Sequence, residues 1–249
     1  MAELIYGINP VLEVLKRNPE VVEEVWLHKR SLKGKRYQIL ELAKKHRIKT
    51  KVINKDRFNP PGLSPEAVHQ GVVAYLRYFD YSDLEDVKRR WESLREPGLV
   101  ICIDEVEDPR NLGAIIRSAD AAGVHGVVIP KLRSSQVTST VVKASSGAVF
   151  NIPIARVTNL KHAINFFKNE GLWVVGLTHK AEEVIYKLDL KLPLVLIVGN
   201  EAKGIRLSLL EMCDFKAKIP MKGKIESLNA SVAAGIALFE VLRQREFSN

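Results

Sequence analysis

Four stretches of this sequence leave the fold little freedom. "LVICI" (99–103), "GVVIP" (126–130), "LWVVGLT" (172–178) and "PLVLIVG" (193–199) are apolar at almost every position. A strand apolar on both of its faces must be covered on both, and that pattern belongs to parallel sheets sandwiched between helices. "NIPIARV" (151–157) and "FKAKIPM" (215–221) add two weaker strands. Between the six lie helical patterns near 109–122, 137–146, 159–170, 204–213 and 229–245. The expectation is an α/β domain over 98–249 with a parallel sheet. Sheets of this kind bind ligands beyond the carboxyl ends of their strands, so the residues just after each strand carry the functional question.

The chain has 249 residues, enough for one large domain or two smaller ones. Residues 1–78 read as a small αβ unit in the order α-β-α-β-β. "NPVLEVLKRN" and "GKRYQILELAKKH" are helices; "VEEVWLH", "KTKVIN" and "GVVAYLRYF" are strands, with "NPPG" as a breaker. Residues 79–97 place Leu84, Val87, Trp91 and Leu94 at helical spacing and read as a linker helix closed by Pro97-Gly98. The net charge of +9 is uneven. Residues 1–78 carry 15 Lys/Arg against 8 Asp/Glu, and 79–249 carry 23 against 21. Such a basic surface attracts phosphate backbones, and taken alone it is equally a solvated lysine-rich face.

No apolar run is long enough to span a membrane, and "MAELIYGINP" lacks the basic and apolar regions of a signal peptide. Cys102 and Cys213 give neither a metal-ligand spacing nor a disulfide framework, and Cys102 reads as a small buried hydrophobe. The expectation is a cytoplasmic protein with no membrane and no metal. There is no GxxxxGK[ST] phosphate loop and no GxGxxG dinucleotide fingerprint, which disfavours a Rossmann-type nucleotide enzyme.

Three strand ends stand out. In "DEVEDPRNLGAIIRSADAAG" (104–123) Asp108 can cap a helix that opens with Pro109. Leu112, Ile115, Ile116 and Ala119 form its core stripe, and Arg117 lies off that stripe beside Gly113, Ala114 and Ala121. An arginine there is ordinarily solvated, but its tiny neighbours suit close approach by another surface. In "VLIVGNEAKGI" (195–205) Gly199 and Gly204 flank Asn200 and Glu201, as a plain strand-to-helix turn or a ligand loop would require. In "IPMKGKIESLNAS" (219–231) Ser227 or Asn229 can cap the final helix. That helix is rich in Ala and Gly before its charged end, "RQRE", where it is expected to leave the core.

Taken in order, "NLGAIIRSADAAG", "LVLIVGNEAKGI" and "IPMKGKIESLNASVAAGIALFEVLRQR" resemble the three motifs of the SpoU branch of the SPOUT methyltransferases, over essentially all of 98–249. "YGINPVLEVL" and "HQGVVA" further resemble bacterial 23S rRNA guanosine 2′-O-methyltransferases. The resemblance implies an α/β-knot domain with a deep trefoil knot, preceded by an RNA-binding domain like a ribosomal protein. It implies S-adenosylmethionine as cofactor, ribosomal RNA as partner, a homodimer with the active site near the subunit interface, and a ribose 2′-hydroxyl as acceptor. It makes Arg117 the central catalytic residue, with Asn111, Glu201, Ser227 and Asn229 as the other polar positions and Glu201 positioning Arg117 or a backbone loop. Gly199, Ile219 and Leu228 match cofactor contacts, with Thr178, Gly204 and Met221 as neighbours. One departure is Asn200, where some relatives carry alanine. Rival readings are a tRNA ribose methyltransferase of the same superfamily and an RNA-binding protein that kept the fold and lost catalysis.

Overall fold

The computed structural model describes residues 3–29, 32–76, 79–225 and 227–247. Its contacts divide the chain into two units, Met1–Asp80 with Val137–Asn151, and Tyr81–Gln136 with Ile152–Asn249.

The first unit is a four-stranded sheet in the order β1-β4-β2-β3. It comprises β1 (Glu3–Tyr6), α1 (Ile8–Arg17), β2 (Val22–His28), α2 (Lys35–Lys45), β3 (Lys49–Ile53) and β4 (Val72–Leu76). β1 is an element the sequence reading omitted. Its four residues, ELIY, are too few for a visible alternation, and antiparallel pairing with β4 forms it. The last expected strand extended through 77–78, which lie outside the described residues. Both α1 and α2 bury apolar stripes, Val11, Leu12, Val14 and Leu15 on one and Ile39 and Ala43 on the other. The "HQGVVA" stretch has a local job, because Gln70 Oε1 accepts from Ile8 N–H at the start of α1 at 3.0 Å. A short helix, α5 (Ser139–Ala144), also belongs to this unit, as does the segment up to Asn151. Its residues were expected within the C-terminal part, and no local pattern could reveal that grouping.

The second unit is a six-stranded, wholly parallel sheet in the order β10-β8-β9-β5-β6-β7. Its strands are β5 (Leu99–Ile103), β6 (Gly126–Pro130), β7 (Ile154–Val157), β8 (Trp173–Leu177), β9 (Leu194–Val198) and β10 (Phe215–Ala217). The helices are α3 (Leu84–Leu94), α4 (Pro109–Ala121), α6 (Leu160–Asn169), α7 (Leu207–Leu210) and α8 (Ala230–Phe247). All six strands expected from the apolar runs form. Alternation splits β5, β8 and β9 between two layers. Val100, Cys102, Val174, Val195 and Ile197 pack with Val87 and Trp91 of α3 and with Leu160, Ala163, Ile164 and Phe167 of α6. Ile101, Ile103 and Leu196 have the opposite parity, and α8 packs on β9 and on α4. The helix expected as a linker therefore forms, but it is part of this core. Gly126 makes room for it, since a methyl there would lie 2.3 Å from Val87 Cγ1. Cys102 is buried and free, and burial pushes its thiol far up in pKa.

Strand order reverses beside β5, so the carboxyl ends of β9 and β5 flank a topological switch. Among the described residues no helix is long and apolar enough to cross a membrane.

Candidate active site

Three segments following strand ends converge in the second unit. After β5, Asp108 accepts from Arg110 N–H at 2.8 Å and Pro109 opens α4, so the helix begins where the strand leaves the sheet. This places Asn111 on the first turn of α4. After β9, the loop 199–206 folds back on itself. Asn200 and Gly204 form an isolated bridge, and Asn200 Oδ1 accepts from the N–H groups of Ala202 and Lys203 at 2.9 and 3.2 Å. Asn200 Nδ2 also donates to the Glu105 carbonyl at 2.9 Å, tying this loop to the end of β5. The residue that marked a departure from some relatives is thus the loop's internal brace. Gly199 is required by close approach, since a methyl there would lie 2.2 Å from the Gly204 carbonyl carbon and 2.3 Å from Ile205 N.

A second tie escaped the sequence reading. Asp104, fully buried at the end of β5, accepts from Arg206 N–H at 2.9 Å and Arg206 Nε at 2.8 Å. The carboxylate raises the guanidinium pKa further. The signal available was one acid directly after an apolar strand, which also fits an ordinary cap.

After β10, the chain runs to the start of α8, where Asn229 Oδ1 accepts from Ser231 N–H at 2.9 Å and Ser231 Oγ–H at 2.6 Å. Asn229 is therefore the helix cap. A backbone N–H can only donate, so this bond fixes which amide atom is oxygen. Nδ2 must then point elsewhere, and it donates to Asn111 Oδ1 at 3.1 Å. Asn111 is oriented in turn, and its Nδ2 donates to Glu201 Oε1. One polarised chain, Ser231–Asn229–Asn111–Glu201, joins three segments that are far apart in sequence.

Beside this chain is a cavity of about 330 Å3 at the carboxyl ends of β8, β9 and β10. Thr178, Gly199, Gly204, Ile219, Met221 and Leu228 all line it, together with Glu201 and Ser227. Leu177 and Val198 add apolar wall, and Lys180 and Lys203 add positive charge. An apolar slot beside two glycines and exposed strand-end backbone suits a flat heteroaromatic ring and its hydrogen-bonding edge. Asn111, Asn229 and Arg117 do not line it. Arg117 is exposed on α4, about 9 Å along the axis from Asn111. Glu201 engages Asn111, and no bond between Glu201 and Arg117 occurs among the described residues.

The far end of α8 is held as firmly as its start. Gln244 is buried and accepts from Leu190 N–H at 2.9 Å. Arg245 donates to the carbonyls of Pro97, Gly98, Leu190 and Leu192 at 2.7–3.3 Å. The charged end does not leave the core as expected: the guanidinium caps chain entering β5 and β9. The small residues along α8 let it approach α4, and Gly235 lies over Ser118.

Solved structures share this architecture. The SpoU methyltransferase AviRb from Streptomyces viridochromogenes, in complex with AdoMet, superposes with a TM-score of 0.80 at 27% identity, over 97% of this chain and 90% of that one. An AdoMet-bound rRNA methyltransferase from Sinorhizobium meliloti gives 0.77 at 28% identity, over 99% and 88%. Residues 98–239 match the SpoU rRNA Methylase family, and residues 4–82 match the RNA 2′-O ribose methyltransferase substrate-binding family. The chain belongs to the SpoU rRNA methylase family. Among curated relatives, the 23S rRNA (guanosine-2′-O-)-methyltransferase RlmB of Pseudomonas aeruginosa is 42% identical over 247 residues, 98% of this chain and 97% of that one. A Bacillus subtilis protein named as a putative TrmH family tRNA/rRNA methyltransferase is 42% identical over 243 residues, 98% and 96% of the two chains.

Proposed function

We propose that this chain methylates a ribose 2′-hydroxyl of RNA, with S-adenosylmethionine as donor and a guanosine of 23S ribosomal RNA as acceptor. The observation that carries this reading is the polarised chain Asn229–Asn111–Glu201 at the edge of a cavity lined by the six expected cofactor residues. In this reading the first unit binds substrate and the second catalyses, the loops at the cavity belong to a deep trefoil knot, and the enzyme works in the cytoplasm.

Bound S-adenosylmethionine supplies an electrophilic methyl group. Leu177, Val198, Ile219 and Leu228, which line the cavity, would hold its apolar parts and exclude water from one side. Displacement at a methyl group must be in line, so the rest of the site orients the ribose. Arg117 does this through the phosphate beside the 2′-hydroxyl, using the planar guanidinium fork. A guanidinium hardly deprotonates, so the hydroxyl proton leaves to phosphate or water. Asn111 and Asn229 hold Glu201 and the start of α8 in register with the cavity.

Arg117 lies on a helix face with small neighbours, and α8 exposes Val232 and Phe239 two turns apart. A homodimer that covers these faces and brings Arg117 to a neighbouring cavity completes the reading. The test is to map 2′-O-methylation on ribosomal RNA, with and without the protein, using labelled S-adenosylmethionine. No label in any RNA overturns the activity, and label confined to tRNA overturns the substrate.

A further inference from the structure

The sheet of the first unit has two faces of different character. Both of its parallel crossovers, β1-α1-β2 and β2-α2-β3, run the same way across it, and the right-handed rule puts α1 and α2 on one face. Ile5, Val25, Leu27, Val72 and Ala74 share one parity in the ladder and are fully buried, as a helix-covered face requires. The residues between them point the other way. These include Glu24, Trp26 and His28 on β2, Lys49 and Lys51 on β3, Tyr75 and the fully buried Val73 on β4, and Leu4 and Tyr6 on β1.

That second face is aromatic and basic. Phe58 packs edge-on against His28 at 4.4 Å and stacks on His69 at 5.0 Å, and Tyr75 Oη–H donates to the Pro61 carbonyl at 2.8 Å. Between Trp26, Tyr75 and Pro61 the face opens into a cavity of about 230 Å3, with Glu23, Glu24 and Lys51 as its polar side. Glu24 organises the cavity. Its Oε2 accepts from Trp26 Nε1 at 2.9 Å, and its Oε1 lies 3.1 Å from Lys51 Nζ, which sits 4.4 Å from the Trp26 ring centroid. Core packing accounts for Trp26, which is 9% exposed, but not for a partly exposed Tyr75 or for Lys49, which pairs with Glu24 at 3.4 Å and whose side chain is 70% exposed at the rim.

Trp26 and Tyr75 stand edge to face, with ring centroids 6.2 Å apart. The geometry points to a docking slot for one unpaired nucleobase of the substrate RNA, stacked on Tyr75 with its edge toward Trp26, and with the adjoining phosphate on Lys51 and Lys49. Only an unpaired base offers a free ring face, and stacking on aromatic side chains is how sheet surfaces read single-stranded RNA. The inference rests on the reading of the chain as an RNA-modifying enzyme, and it adds where and how the substrate is gripped outside the cavity at β8–β10.

The test uses the full chain. A fluorescein-labelled eight-nucleotide single-stranded RNA and the same sequence as a duplex are titrated against wild type, Tyr75→Ala and Lys51→Ala, with circular dichroism melts checking the fold. Wild type is expected to prefer the single strand. Tyr75→Ala weakens single-strand binding about tenfold or more. Lys51→Ala lowers the slope of log K against log salt by about 0.7. Ultraviolet crosslinking of wild type, which involves no substitution, is expected to join RNA to peptides holding Trp26 or Tyr75. Equal affinity for strand and duplex, wild-type binding by a folded Tyr75→Ala, or crosslinks lying only elsewhere each overturn the slot. The function itself is read separately from wild-type methyl incorporation into ribosomal RNA. The slot fails while the function stands if methylation persists and these signatures are missing.

Discussion

At the scale of single residues, Asn229 does two jobs with the two ends of one amide. Its oxygen caps α8 and its nitrogen orients Asn111. Asn229→Asp keeps the cap and loses the donor. It is expected to hold thermal stability within about 0.5 kcal/mol of wild type, because Asn and Asp are near-equal caps, while methyl transfer falls at least about tenfold. Asn229→Ala loses both functions and is also destabilised by about 1 kcal/mol. Melting curves and single-turnover rates separate the two, and full activity in Asn229→Asp would remove the amide chain from the mechanism. Arg117 poses a different question, since the helix leaves it exposed. Arg117→Lys is expected to cut kcat by about 100-fold or more with the fold intact, because an ammonium keeps the charge without the bidentate fork; near-normal turnover would sink the proposed role. The resemblance to the family's three motifs pointed to Asn111, Glu201 and Asn229 separately. Their connection was illegible, because 118 positions separate Asn111 from Asn229 and each had a sufficient local explanation.

At the scale of elements, the apolar runs showed all six parallel strands, because burial on both faces leaves a local signature. What they hid depends on partners. Four residues became β1 through β4, α3 joined a core, and "RQRE" turned inward because the carbonyls before β5 and β9 need donors. The loop 199–206 is the element on which the cavity depends most. It doubles back so tightly that Gly199 touches Gly204 and Ile205 through backbone alone. Gly199→Ala is expected to force these strands of chain apart, costing about 1–3 kcal/mol and weakening S-adenosylmethionine binding more than tenfold by calorimetric titration. Unchanged affinity would show that this loop does not shape the cofactor site.

At the scale of the molecule, stability and acidity are linked through a histidine far from the cavity. His125 is buried, accepts from Leu99 N–H at Nδ1 and so carries its proton on Nε2, 3.1 Å from Glu96. Burial is the main force holding its pKa below the ordinary 6.5, aided by Arg245 and Arg90 and opposed by Glu96. A folded pKa below the unfolded one gives stability that is present above pH 6.5 and lost as the pH falls toward the folded value. The melting temperature is expected to drop between pH 7.5 and 5.5, and to drop less in His125→Asn, whose amide oxygen can still accept from Leu99. His28 and His69, also lowered by burial, add a slope of the same sign that the variant keeps. An unchanged slope in the variant would assign the whole effect to those two. Arg245 carries a further consequence, one of timing. Its hydrogen bond to Pro97 spans 148 positions. A ribosome adding about 5–20 residues per second needs roughly 7–30 s to cover that distance. For that interval the nascent parallel sheet has neither the helix that shields it nor the cap that aligns its chemistry. The catalyst thus comes into being only once α8 has been made, and a growing chain that still lacks this helix has no means of methylating anything early.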